Sequence, residues 1–113
     1  MRTLKLLTVL FAFNCYVPSV LAADASVKIS SPAEGTTLNK TALTKIDYEV
    51  IPGPKGDHAH LYVDGKQEDV LHKLKGSDTL EALALGKHEI CIKIVNRSHT
   101  PIGVQQCVKV SVE

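Results

Sequence analysis

Short runs in which apolar and polar residues alternate fill most of this chain after residue 24. A period of two places every second side chain on the same face of a β-strand, whereas a helix needs a period near 3.6. The clearest runs are centred on Tyr48, Leu61 and Ile92, and turn signals such as Asp64-Gly65 separate them. Evenly spaced short strands, about seven in all, predict an all-β fold, namely an immunoglobulin-like β-sandwich.

The apolar phase of these runs also predicts the core of the sandwich. The residues expected to be buried are Ile46, Val50, Leu61, Val63, Leu83, Ile90, Ile92, Ile94, Val108 and Val110. The stretch 67–74 is different, because its charges would lie on every side of a helix and no alternation is visible. We expect it to be an irregular connection with at most a short edge strand.

Residues 1–22 have the features of a signal peptide. Arg2 and Lys5 give a positive start, a short apolar run follows, and small residues precede a cleavage point after Ala22. A membrane anchor is the alternative, but the apolar run is much shorter than the roughly 20 residues of a spanning helix. We therefore expect a periplasmic or secreted protein, with no membrane insertion after cleavage, whose single domain covers 23–113.

Two cysteines, Cys91 and Cys107, remain after cleavage. In an exported chain such a pair predicts a disulfide, and closing this loop is worth about 3 kcal/mol in the chain-entropy model. The third, Cys15, lies in the signal segment. Lipid attachment there is an alternative fate, but it is disfavoured because Asn14, rather than a small residue, precedes it.

Pairing the two cysteines directly opposite each other sets the register of the last hairpin. Val95 then faces Gly103, and 96–102 form the loop. Because Cys91 alternates with the isoleucines of its strand, the disulfide is predicted on an outer face, joining neighbouring strands.

Charge and motifs exclude several classes of function. The chain has 13 basic and 12 acidic residues, and losing Arg2 and Lys5 with the signal segment leaves 11 against 12, a formal charge of −1. That balance argues against nucleic-acid binding. The chain has no nucleophile elbow and no Gly-rich phosphate loop, and we do not expect an enzyme. Asp47 and Glu49 share a strand face, and we expect them to be solvated carboxylates rather than a catalytic acid/base pair.

The histidines carry the one pattern with chemical content. His58 and His60 are two residues apart on a predicted strand and so project from one face. In a sandwich the strand 89–95 would run antiparallel beside them, which brings the hairpin loop carrying His99 to the same end. Three imidazoles in this arrangement predict a copper or zinc site, with Asp57 as a fourth ligand or as a hydrogen-bond partner of a ligand.

The alternative for these three residues is that they are ordinary exposed histidines of a strand face and a loop. The remaining two histidines, His72 and His88, are expected to be solvated or hydrogen-bonded and to have no part in metal binding. Both cysteines are expected to be oxidised, which excludes a blue-copper thiolate site.

The segment Asp57-His58-Ala59-His60-Leu61-Tyr62-Val63-Asp64-Gly65, followed by Gly86-Lys87-His88 and a loop with Asn96 and His99, resembles a group of small exported bacterial immunoglobulin-like proteins. The opening Ser31-Pro32-Ala33-Glu34-Gly35-Thr36 is similar to the start of many bacterial immunoglobulin-like modules, including copper-resistance proteins of that fold. The resemblance covers nearly all of the predicted domain. It implies the sandwich fold and marks His58, His60 and His99 as positions that the group shares.

Two hypotheses for function follow. The first is an exported, non-catalytic binding module whose partner is unknown. The second is periplasmic copper or zinc binding through the three histidines. Convergence of the three imidazoles in space would favour the second hypothesis.

Overall fold

The structure is a computed structural model that describes Ala12 and residues 24–113. The predicted signal peptide, 1–22, therefore lies outside the described residues, apart from Ala12. Within 24–113 the chain forms eight β-strands and no helix. No helix in the described part of the chain is long and apolar enough to cross a membrane.

The strands form two sheets. In chain order they are β1 Ser26–Ser31, β2 Thr37–Leu38, β3 Thr44–Ile51, β4 His58–Val63, β5 Lys66–Leu71, β6 Lys75–Leu80, β7 Gly86–Val95 and β8 Pro101–Val112. One sheet has the order β1-β3-β6, and the other has the order β2-β8-β7-β4-β5. All pairs are antiparallel except β2 with β8, which is parallel. This arrangement confirms the predicted all-β immunoglobulin-like sandwich.

The core lies between the two sheets and follows the alternation in the sequence. Ile46, Leu61 and Ile92 are fully buried, and every residue of the predicted core is buried except Leu83, which packs against the core but is partly exposed. Burying a large aliphatic side chain contributes about 1.5–3 kcal/mol, so these positions hold the sheets together. They also fix which strand faces point outward.

The stretch 67–74 is more regular than its sequence suggests. Lys66–Leu71 forms the edge strand β5, and the next strand, Lys75–Leu80, crosses to the other sheet and pairs with β3. Both are edge strands with mostly polar side chains, so neither has the apolar alternation that would predict it. Pairing with a buried neighbour, rather than local propensity, makes them strands.

The disulfide joins β7 and β8 as predicted. Cys91 and Cys107 are directly opposite each other, and the bond lies outside the core cluster, on the outer face of the five-stranded sheet. Their Cα atoms are 4.0 Å apart, slightly closer than the usual 4.4–6.8 Å.

The register that this pair sets does not extend to the loop. It holds as far as Lys93, which pairs with Gln105, and then shifts, so that Val95 faces Pro101 instead of Gly103. The predicted loop 96–102 was therefore wrong by two residues, and the loop is 96–100. The β-bulge that causes the shift has no signal in the alternation.

Candidate metal centre

Strand β4 presents two histidines on the outer face of the five-stranded sheet. Ala59 and Leu61 point into the core, so His58 and His60 point outward. As predicted, β4 runs antiparallel to β7, and the two histidines lie opposite Val95 and Lys93. His60 is only 2% exposed although it lies on the outer face, because neighbouring side chains cover it.

The third histidine comes from the loop between β7 and β8, whose shape depends on Asn96. The side-chain oxygen of Asn96 accepts hydrogen bonds from the backbone N–H groups of Ser98 and Thr100, at 2.9 and 3.0 Å. The backbone N–H of His99 donates to the Asn96 carbonyl at 3.0 Å. These bonds hold His99 in the left-handed region, at a φ of 61°, which a residue other than glycine seldom adopts.

The three imidazoles converge closely. Nε2 of His58 lies 3.1 Å from Nε2 of His60 and 3.1 Å from Nδ1 of His99, and the last two atoms are 3.0 Å apart. The three nitrogens thus form a nearly equilateral triangle. The sequence predicted that these three residues meet, and the structure brings them together.

Hydrogen bonding among the three rings does not account for this triangle. A ring nitrogen carries either one proton or one lone pair, directed along a single line in the ring plane. Three mutual contacts of about 3 Å cannot all be good hydrogen bonds on that basis. Three ring nitrogens this close together are, by contrast, a set of donors that could hold a metal ion.

Asp57 sets the tautomer of His58. Its Oδ2 lies 2.9 Å from Nδ1 of His58, and because a carboxylate only accepts, Nδ1 is the protonated nitrogen. In the neutral ring the lone pair is then on Nε2, which faces the other two rings. The other oxygen of Asp57 lies 3.6 Å from Nε of Arg97. The structure thus places Asp57 as a hydrogen-bond partner of His58.

Burial favours the neutral form of His60. Desolvation lowers the pKa of its imidazole, and the nearby His58 and His99 rings lower it further. Its Nδ1 is buried and has no partner at hydrogen-bonding distance among the described residues. The neutral form of an imidazole is the form that binds a metal ion, so this shift favours ligation.

The outer side of the cluster opens into a depression of about 440 Å³. Its walls are Asp57, His58, His72, Arg97 and His99. The presence of His72 beside the other histidines is a finding that the sequence did not indicate. It follows from the pairing of β4 with β5, whose sequence predicted at most a short edge strand.

His88 lies elsewhere and is hydrogen-bonded, as expected. Its Nδ1 is 2.6 Å from Oδ2 of Asp64, and its Nε2 is 2.6 Å from the carbonyl oxygen of Ala84. A second group of possible ligands, Glu89 with Cys91 and Cys107, also lies on the outer face. The disulfide leaves those cysteines without thiolates, so this group does not offer the sulfur ligands that a metal would need.

Comparison with known proteins adds information on the fold. No protein-family model matches the chain, and no curated protein sequence matches it. Among solved structures, the chain is similar to the fibronectin(III)-like modules of Clostridium thermocellum CbhA, with a TM-score of 0.64 and 18% identity, covering 77% of this chain and 95% of that chain.

A second similar structure is an FMN-binding beta-glucuronidase from Facaelibacterium prausnitzii L2-6. The TM-score is 0.56 and the identity 16%, covering 81% of this chain and 12% of that chain. This chain therefore matches a small part of that protein. At such identities the likeness shows a common immunoglobulin-like fold and nothing further.

Proposed function

We propose that this protein is an exported binding module that holds a copper ion, with zinc as the alternative, through His58, His60 and His99. The observation that carries the proposal is the triangle of ring nitrogens, 3.0–3.1 Å on each side. The fibronectin-like sandwich supports the broader idea of a binding module, since such a fold presents loops and an outer sheet face to a ligand.

The spacing of the nitrogens suits a transition-metal ion. With metal–nitrogen bonds of about 2.0–2.1 Å, nitrogens 3.0–3.1 Å apart subtend about 91–102° at the ion. This value lies between the 90° of tetragonal copper and the 109° of tetrahedral zinc. Nitrogen ligands bind Cu(II) more tightly than Zn(II), which favours copper.

The openness of the site supports a role in capture and delivery. Three protein ligands leave at least one coordination position free, and the depression exposes that position to solvent. Structural zinc sites are instead closed by four protein ligands. We therefore propose that the bound ion is exchangeable and that the domain folds without it.

An extracytoplasmic location is part of the proposal. The Cys91–Cys107 disulfide supports it, because such bonds persist in oxidising compartments. In the periplasm or outside the cell, a module of this kind meets metal ions directly.

Titration calorimetry of the purified protein with Cu(II) and with Zn(II) tests the proposal. We expect one ion per chain, and we expect binding to be lost when both His58 and His60 are changed to alanine. Because His60 is buried, His99→Ala serves as a second variant, since His99 is exposed on a loop and its loss should not unfold the domain. It should weaken binding strongly.

The matched control is His88→Ala, which removes a histidine that is not part of the cluster. Circular dichroism of every variant would confirm that it is folded. If the wild-type protein bound neither ion at micromolar concentration, or if the variants at His58, His60 and His99 bound as well as the wild type, the proposal would be wrong.

A further inference from the structure

His72 lies beside the three-histidine cluster. It lines the same depression as His58 and His99. Its side chain is exposed and makes no hydrogen bond to the residues that the structure describes. Its ring is therefore available to move, whereas His60 is buried and His58 is tied to Asp57.

The register between β4 and β5 explains why His72 faces the site. Ala59 pairs with Leu71, and both side chains are in the core. The next residues outward from this pair are His58 and His72, and side chains alternate between the two faces of a strand. His72 therefore follows His58 to the outer face, where the cluster lies.

The other walls of the depression are poor candidates to complete the coordination of an ion. One carboxylate oxygen of Asp57 is engaged by His58 and the other faces Arg97. Arg97 is a cation and has no lone pair to offer. Within the described part of the depression, His72 is the remaining side chain with a free metal-binding nitrogen.

We propose that His72 is the fourth and displaceable ligand of the metal ion. This inference rests on the proposed function and adds a mechanism of retention and release. His58, His60 and His99 form the fixed part of the site, and the His72 ring closes over the ion from the end of the edge strand. Four imidazoles satisfy either Cu(II) or Zn(II). The site is closed only while His72 is bound, and it returns to the open three-histidine form when His72 leaves.

The position of His72 makes it suited to release. It lies at the start of the connection from β5 to β6, at the exposed rim, and an exposed side chain must lose rotamer freedom to bind. A donor from another molecule can therefore replace His72 while the three fixed histidines still hold the ion. The exchange leaves the protein fold unchanged.

Cu(II) electron paramagnetic resonance of the wild type and of His72→Ala tests this assignment. Modulation of the electron spin echo by the remote ring nitrogens counts the imidazoles bound to copper. We expect four in the wild type and three in His72→Ala. Adding free imidazole to the variant should restore the wild-type spectrum, an effect that a merely structural role would not produce.

Stopped-flow removal of copper by EDTA gives an independent measure. Hydrogen-bond partners of metal ligands are already worth about 10–100-fold in affinity, so loss of a direct ligand should speed release by at least about tenfold. The control is Lys73→Ala, the next residue of the same connection, whose side chain is exposed. It should release copper at the wild-type rate.

The outcomes separate the two proposals. A wild-type protein that binds no copper would overturn the proposed function itself. A wild-type protein that binds copper with three imidazoles and releases it as fast as His72→Ala would overturn only the role of His72.

Discussion

A hydrogen-bonded histidine at the end of the sandwich opposite the three-histidine cluster should make stability depend on pH. Both ring nitrogens of His88 face atoms that only accept, namely a carboxylate oxygen of Asp64 and the carbonyl oxygen of Ala84, each at 2.6 Å. The ring satisfies both only when both nitrogens are protonated. Accordingly, the hydrogen bonds to Asp64 and then to Ala84 raise the pKa of His88 above its ordinary value.

The direction of the effect follows from linkage. A group whose pKa is higher in the folded than in the unfolded state stabilises the fold fully below the unfolded pKa, about 6.5 for histidine. That contribution is lost as the pH rises through the higher pKa of the folded state. Hydrogen bonds to charged groups are worth about 1.5–3 kcal/mol. Because Asp64 is half-exposed, solvent screens its interaction with His88, so we expect a total contribution to stability of about 1–2 kcal/mol.

Urea unfolding of the wild type and of His88→Ala at pH 5.5 and pH 9 measures this contribution. The wild type should have the higher free energy of unfolding, and its advantage over His88→Ala should be larger at pH 5.5 than at pH 9. The advantage should change by about 1–2 kcal/mol between the two pH values. Both proteins contain the other histidines, so the contributions of those residues cancel in the comparison. Lys87→Ala, an exposed neighbour, is the control and should show no such dependence.

Nuclear magnetic resonance of the His88 ring gives a direct check on the same reasoning. Its titration should have a midpoint above 6.5. A midpoint at or below that value, or an equal loss of stability in His88→Ala at both pH values, would show that the ring is neutral in the folded protein and that the argument is wrong.

Three further predictions concern the fold around the site and the hydrogen bonds of Asp64. Changing Cys91 and Cys107 together to serine should lower the free energy of unfolding by about 2–4 kcal/mol in urea titrations, yet leave copper binding intact, because neither cysteine belongs to the histidine cluster. Gly56→Ala should destabilise the protein by about 1–3 kcal/mol, because a Cβ there would lie 2.2 Å from the Pro52 carbonyl oxygen. The resulting displacement of the adjoining Asp57 and His58 should weaken copper binding in calorimetry. Lys55→Ala is the control, and an unchanged copper affinity in Gly56→Ala would contradict the prediction. The hydrogen bond from the Glu89 backbone and the contact with His88 lower the pKa of Asp64, so Asp64→Asn should reduce the free energy of unfolding at neutral pH. In acid unfolding measurements this loss should shrink as the pH falls through the lowered pKa of Asp64.

Alternation alone was enough to predict the two-sheet architecture and its core. Ile46, Leu61 and Ile92 were assigned to the buried face because every second residue of a strand shares a face, and a slip of one residue would expose them all. The same rule placed Cys91 and Cys107 on the outer face, and it placed His58 and His60 together. These are short-range consequences of the strand period, which the sequence specifies directly.

Tertiary structure decided the features that depend on which segments become neighbours. Strands β5 and β6 lack apolar alternation and exist because β4 and β3 offer them backbone partners. The pairing of β4 with β5 also brings His72 to the depression beside the three-histidine cluster. The bulge after Lys93 and the hydrogen bonds of Asn96 shorten the hairpin loop and aim His99 at the other rings. Edge pairing, bulges and side-chain hydrogen bonds in loops depend on contacts between distant residues, so a periodicity read along one strand cannot determine them.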